Sequence, residues 1–194
     1  LTTAARMLHR LARDAGAEPT AVKRFGRMVE REATSIRLWR ENQRLYAGGA
    51  VKIVPRRNEL RPVIDACCDR FREVLLDRGI ELKTRWLCSQ QLVFDFDADA
   101  IDLVLSNLVD NARKYAFFNT TVTIEVKLVD GHMVHLTVED VGHEIPDRLR
   151  EEVYRVGQRL DWRDPLRAIE GTGLGLPMAR ALVEKHGGTL THEN

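Results

Sequence analysis

Gly171-Thr172-Gly173-Leu174-Gly175-Leu176 runs directly into an amphipathic segment. Glycines at this point permit close backbone approach, and a helix start adds unpaired N–H groups and a partial positive charge, which together suit a phosphate chain. A tight connection before a helix explains the same glycines when they are taken alone. No lysine followed by serine or threonine closes the run, and no parallel βαβ unit precedes it, so it is not a Walker loop. Upstream, Asn107-Leu108-Val109-Asp110-Asn111-Ala112-Arg113-Lys114-Tyr115 reads as helix. Asn107 and Asn111 are four apart and share a face, with Lys114 three further on. Two carboxamides and an ammonium on one stripe are unusual in an apolar-patterned helix, although a solvated face accounts for them equally simply. Between these segments, Asp140-Val141-Gly142-His143-Glu144-Ile145-Pro146 leaves a strand.

The elements that must hold these residues follow from periodicity. Residues 2–15 read as a helix ended by Gly16. A second helix runs from Thr20 to about Ala47 and places Val22, Phe25, Val29, Ala33 and Ile36 on one apolar stripe, stopped by Gly48-Gly49. Two helices joined so closely lie antiparallel. A hairpin over residues 1–50 has too little core to stand alone, so it is expected to pair with a second copy as a four-helix homodimer. A linker with Pro55 and Pro62 opens a second domain, 51–194. There a helix buries Ile64, Cys67, Cys68, Phe71 and Leu75 and ends at Gly79. Strands are expected over Glu81–Leu87, Leu92–Phe96, Thr121–Leu128 and Met133–Glu139, the last two joined by Asp130-Gly131. Helices are expected over Ala98–Tyr115, Asp147–Val156 and Leu174–His186. The class is α+β, a sandwich of helices on a mixed, mostly antiparallel sheet.

Composition sets the outer bounds. With 194 residues, 44% hydrophobic and 30% charged, the chain can fill one or two cores. Residues 1–60 carry a net +7 and the remainder −6. The arginines of the basic part interleave with apolar residues at helical spacing, without an aromatic platform, so nucleic acid is not the expected partner. No apolar run is long enough for a bilayer, and any membrane contact is expected through segments outside this chain, which starts at Leu1 rather than methionine. Three cysteines, Cys67, Cys68 and Cys88, fit neither a disulfide framework nor a zinc site, which suggests a reducing, cytoplasmic setting. His132, His135, His143, His186 and His192 lack ligand-like spacing.

Taken together and in this order, Asn107–Tyr115, Asp140–Pro146 and Gly171–Leu176 resemble the N box and the two glycine boxes of the catalytic, ATP-binding domain of sensor histidine kinases. That domain belongs to the superfamily shared with gyrase, Hsp90 and MutL ATPases and has the Bergerat-type fold. The resemblance covers nearly the whole chain and implies ATP and Mg²⁺ as ligands. It implies that Asn111 ligates Mg²⁺, that Asn107 holds phosphate and metal, and that Lys114 contacts phosphate. It places Tyr115 against adenine, Asp140 on the exocyclic amine, Gly142 close to the base, and Gly171, Thr172, Gly173, Leu174, Gly175 and Leu176 at the end of a lid spanning about Val156 to Glu170, with Trp162 and Pro165. One amide oxygen plus phosphate oxygens suits a cation that prefers hard ligands and keeps several waters.

The hairpin resembles the family's dimerisation and phosphoacceptor domain, which implies a phosphoacceptor histidine upstream of Leu1 and relay to an aspartate of a response-regulator receiver domain. His9 lacks the acid and proline expected around such a histidine. Related ATPases carry a glutamate where this chain has Asn107, and an amide cannot act as a base, which favours kinase over ATPase. Three features depart from the family pattern. Glu144 replaces a second glycine and points to reduced nucleotide affinity. Val153-Tyr154-Arg155-Val156-Gly157-Gln158-Arg159 keeps one aromatic of the usual two, and the chain stops at Asn194 before the family's last strand. A degenerate kinase acting as a dimeric scaffold, and a serine kinase of the same superfamily, are the rival expectations.

Overall fold

The computed structural model describes residues 19–47, 52–158 and 172–193. The expected helix over 2–15 with His9 and Gly16, the Gly48-Gly49 stop, Arg159, Gly171, and the lid residues Trp162 and Pro165 lie outside the described residues. So do the side chains of Val22 and Phe25.

Helix α1 (Pro19–Ala47) is continuous over 29 residues. Leu38, Asn42 and Leu45 recur at helical spacing and form one face. Leu38 and Asn42 are buried, and Leu45 joins a small cluster with Ala100, Val104, Ala179 and Leu182. The expected stripe of Val29, Ala33 and Ile36 runs along the opposite side, at about 100° per residue. There Ala33 is exposed and Ile36 is 63% exposed. One helix therefore has a face docked on its own chain and an apolar face left outward.

After α1, Arg56–Glu59 form strand β1 and Leu60–Leu76 form helix α2. The sequence expects a linker here, but the chain is already in the fold by Arg56. Pro62 sits in the first turn of α2, where its missing N–H leaves no helical bond unmade. Strands β2 (Glu81–Trp86) and β3 (Val93–Phe96) lead to helix α3 (Ala98–Tyr115), strands β4 (Thr121–Val129) and β5 (Met133–Glu139), and helix α4 (Gly175–Lys185). Two of the three strand pairings are antiparallel, as expected, but the sheet is divided. β1 pairs with β3 antiparallel, while β2-β4-β5 form a separate mixed sheet in which β2 and β4 run parallel. Asp130 and Gly131 at the β4–β5 turn both have positive φ, a conformation that glycine adopts freely and aspartate tolerates better than most residues.

The α2 face of Ile64, Cys67, Phe71 and Leu75 is fully buried against α3 and the mixed sheet. Val122, Ile124 and Val126 of β4 are fully buried as well, each worth about 2 kcal/mol relative to exposure. A one-residue slip of β4 would turn Thr123 and Glu125 inward instead, so this alternation fixes the register. Burial pushes the Cys67 thiol up to about 12, which keeps it protonated and inert.

The helix expected over Asp147–Val156 is two 3₁₀ turns, Asp147–Leu149 and Glu152–Tyr154. Val153 is the one buried residue of those turns. A single anchor cannot offset the cost of nucleating a short α-helix.

Candidate functional site

Both ends of α3 are held by side chains, and this fixes where its polar stripe points. At the start, Asp97 Oδ1 accepts from Ala100 N at 3.0 Å and Oδ2 accepts from Val54 N at 2.7 Å. The Asp97 N–H donates to His186 Nε2 at 3.1 Å, and His186 Nδ1 donates to the Leu182 carbonyl at 2.7 Å. Burial raises the Asp97 carboxyl pKa, but the N–H groups of Val54, Ala100 and Asp99 outweigh that and hold it below the usual carboxylate value. At the far end the Arg78 guanidinium donates to the carbonyls of Arg113 and Ala116 and stacks over Phe118 at 4.6 Å. A cation at the carbonyl end of a helix is favourably placed.

The segment after β5 then joins the end of α3. Phe117 N donates to the Val141 carbonyl at 2.8 Å, and Ala116 forms a bridge with Gly142. A Cβ on Gly142 would stand 2.8 Å from the Tyr115 carbonyl oxygen and 3.2 Å from Ala116 Cα, so this approach is open to glycine alone. Gly173 has φ +67°, and its carbonyl accepts from Gly157 N at 3.0 Å, which closes the two ends of the interval that carries residues 159–171. Gly175 approaches the Asn107 side chain: a Cβ there would stand 3.1 Å from Asn107 Oδ1.

These approaches border one open cavity of about 1790 Å³ that also runs along α1, β3 and β5. It is lined by Asn107, Asn111, Lys114 and Tyr115 of α3, by Asp140 and Gly142, and by Thr172, Gly173, Gly175 and Leu176. Three segments far apart in sequence therefore meet as expected. Leu174 does not line the cleft; it is buried beneath the start of α4, where it anchors the turn. Asp140 reaches solvent along the cleft wall, yet the surrounding protein desolvates its carboxyl and raises its pKa. Glu144 is exposed at the rim and is not among the residues with positive φ, so its backbone is one that a side chain adopts without strain.

Two polar partners were not foreseen from sequence. Asp110, 6% exposed, binds Lys114 Nζ at 2.6 Å and an Arg113 guanidinium nitrogen at 2.8 Å. Its spacings of three and four before two cations are the signal that could have revealed it. Asn42 of α1 pairs with Asn107 reciprocally: Asn42 Nδ2 donates to Asn107 Oδ1 at 2.8 Å and Asn107 Nδ2 donates to Asn42 Oδ1 at 3.1 Å. Its spacing of four from Leu38 on an apolar face was the available clue.

Residues 96–194 match the family model of histidine kinase-, DNA gyrase B- and HSP90-like ATPases. The chain belongs to that family. Within it, the similarity is to sensor histidine kinase catalytic domains. The chain is 32% identical over 128 residues to sensor histidine kinase WalK of Bacillus subtilis, covering 62% of this chain and 21% of WalK. It is 34% identical over 131 residues to sensor protein kinase CarS of Pseudomonas aeruginosa, covering 68% of this chain and 27% of CarS. The mycobacterial sensor histidine kinase MprB is a structural neighbour with a TM-score of 0.60 and 25% identity, covering 71% of this chain and 84% of that one. The chain thus spans about a fifth to a quarter of these two sequence relatives. No helix among the described residues is long and apolar enough to cross a membrane.

Among the described residues no group of three or more His, Cys, Asp or Glu side chains could hold a metal ion. A magnesium ion in this cleft would therefore take most of its ligands from nucleotide phosphates and water, with an amide oxygen from Asn111, and that donor set fits its preferences.

Proposed function

We propose that this domain binds Mg·ATP in the cleft and transfers the γ-phosphoryl group to a histidine upstream of Leu1, for relay to a response-regulator aspartate. The observation that carries the reading is the convergence of Asn111, Asp140 and Gly173 on one cleft beside α3. Asp140 would accept from the adenine amine, which guanine lacks at that position. Tyr115 would cover the base, and Gly142 would let it approach the Tyr115 carbonyl.

The metal's chemistry there would be to neutralise charge on the phosphates, and Asn111 would hold it in register with them. Lys114, by turning from Asp110, would reach the phosphates. Gly173, Gly175 and Leu176 would offer backbone N–H groups at the start of α4, with Thr172 beside them. Asn107, an amide that cannot accept a proton from water at neutral pH, would leave hydrolysis unassisted and ATP available for the histidine. Catalysis of this kind rests on positioning and charge neutralisation.

The division at about residue 50 and a homodimer through the hairpin belong to the same reading, supported by the outward apolar face of α1. Its setting would be cytoplasmic, with membrane contact only through other segments.

The test is incubation of the chain, extended to include the upstream histidine, with Mg·ATP labelled at the γ-phosphate. The expected product is a phosphoprotein whose label is lost in acid and kept in base. Brisk hydrolysis without such a product would overturn the assignment. Label stable in acid on a serine of a partner protein would favour the serine-kinase reading instead.

A further inference from the structure

The Asn42–Asn107 pair joins the hairpin helix to the centre of the cleft, and nothing in the proposed phosphoryl transfer accounts for it. Each carboxamide gives one N–H to the other and takes one in return, and both residues are nearly fully buried, at 4% and 3% exposure. The oxygen that Asn42 occupies, Asn107 Oδ1, is the atom nearest the Gly175 position. A phosphate held at that glycine turn would accept from Asn107 Nδ2, the donor that Asn42 Oδ1 already takes. Among the described residues α1 is also held by Leu38, buried in the main core, by Leu45, and by an Arg37–Asp102 contact at 4.0 Å with Arg37 mostly exposed. Removing the pair without replacement would strand two buried amides.

We infer that Asn42 is a positioning residue that withholds Asn107 from the nucleotide, so that docking of α1 on the catalytic domain and filling of the cleft oppose each other. Nucleotide that engages Asn107 breaks the pair and loosens α1; movement of α1 away from α3 frees Asn107 and tightens the nucleotide. The coupling is reciprocal, because each event changes the free energy of the other by the same amount. Ala33 and Ile36 are exposed on the side of the helix away from Leu38 and Asn42. This inference rests on the cleft being a nucleotide site.

The experiment measures Mg·ATP affinity by calorimetry on the whole chain, as wild type, Asn42→Ala and Leu38→Ala. It also follows amide hydrogen exchange over residues 34–45 with and without Mg·ATP. Both variants are expected to bind about fivefold tighter or more, the lower end of ordinary coupling. Exchange across 34–45 in wild type is expected to quicken on nucleotide addition. A purely structural role for Asn42 would give weaker or unchanged binding. If Asn42→Ala does not fold, Leu38→Ala decides the sign, since it loosens the same docking without touching the amides. Wild-type binding that both folded variants leave unchanged or weaken overturns the inference alone. Absence of binding by all three proteins overturns the nucleotide reading and the inference with it.

Discussion

Lys114 Nζ lies 2.6 Å from Asp110 Oδ2, one helical turn back on α3, and Asp110 also holds Arg113. The ammonium expected to meet phosphate is thus committed to a buried carboxylate, much as Asn107 is committed to Asn42. Both of the groups proposed to meet phosphate thus have internal partners.

Removing the carboxylate separates these roles. Asp110→Asn leaves Arg113 and Lys114 beside a neutral amide in a site where all three side chains are less than a fifth exposed. Breaking a buried pair in this way costs about 3 kcal/mol. Urea unfolding should show that loss, while Lys114, released from its partner, should make ATP affinity rise or hold. A drop in affinity with unchanged stability would contradict the pairing.

Gly142→Ala probes the seam between α3 and the loop after β5. The added methyl would sit 2.7 Å from Asp140 Oδ1 and 2.8 Å from the Tyr115 carbonyl, and backbone cannot yield as a flexible side chain does. We expect a loss of about 1–3 kcal/mol and, in calorimetry, nucleotide affinity reduced at least tenfold because Asp140 is displaced. A variant with native affinity would show that Asp140 does not touch the base.

Most of this architecture was legible in the sequence. α3 and β5 matched their expected bounds because each carries an unbroken period, with Asp97 capping one and Asp130-Gly131 opening the other. β1 was not legible: Arg-Arg-Asn-Glu has no alternation, and it is a strand because β3 offers it a partner. The 3₁₀ turns at 147–154 were misread as α-helix because polar spacing alone cannot show that a single side chain, Val153, would be buried. In the site, the convergence of Asn111, Asp140 and Gly173 followed from motif order. Asn42 and Asp110 were missed because a polar residue's burial depends on a neighbour from another element.

The outward face of α1 predicts association. Ile36→Glu places a charge on an exposed apolar stripe, so it should leave the catalytic domain's thermal unfolding unchanged within about 0.5 kcal/mol. Light scattering should show the wild-type chain as a dimer and the variant shifted toward monomer. A wild type that is monomeric at high concentration would remove the four-helix expectation.

Asp97 gives the fold an acid limit. Its native pKa is depressed, so its contribution is complete above the ordinary carboxylate value of 3.8 and fades as pH falls through the lower native value. Stability of the wild type should therefore fall between about pH 4 and lower values, and Asp97→Ala should lose the cap, about 1 kcal/mol, together with that part of the slope. Denaturation at stepped pH reads both. Equal slopes would mean that Val54 and Ala100 do not bond the carboxylate in solution.

Asp140 titrates in the opposite sense, and on binding rather than folding. Desolvation raises its pKa, so on acidification it takes up a proton at a pH where an ordinary aspartate is still charged. The protonated acid is a poorer acceptor for the adenine amine, so ATP affinity should begin to fall above the ordinary value of 3.8 while the Asp97 cap is still intact. Asp140→Asn should bind weakly at every pH, lose the pH dependence, and reduce the preference for ATP over GTP. Calorimetry of both nucleotides from pH 7 downward separates this from unfolding, which far-ultraviolet dichroism reports in the same samples. An unchanged pH profile in Asp140→Asn would move the adenine contact to another residue of the cleft.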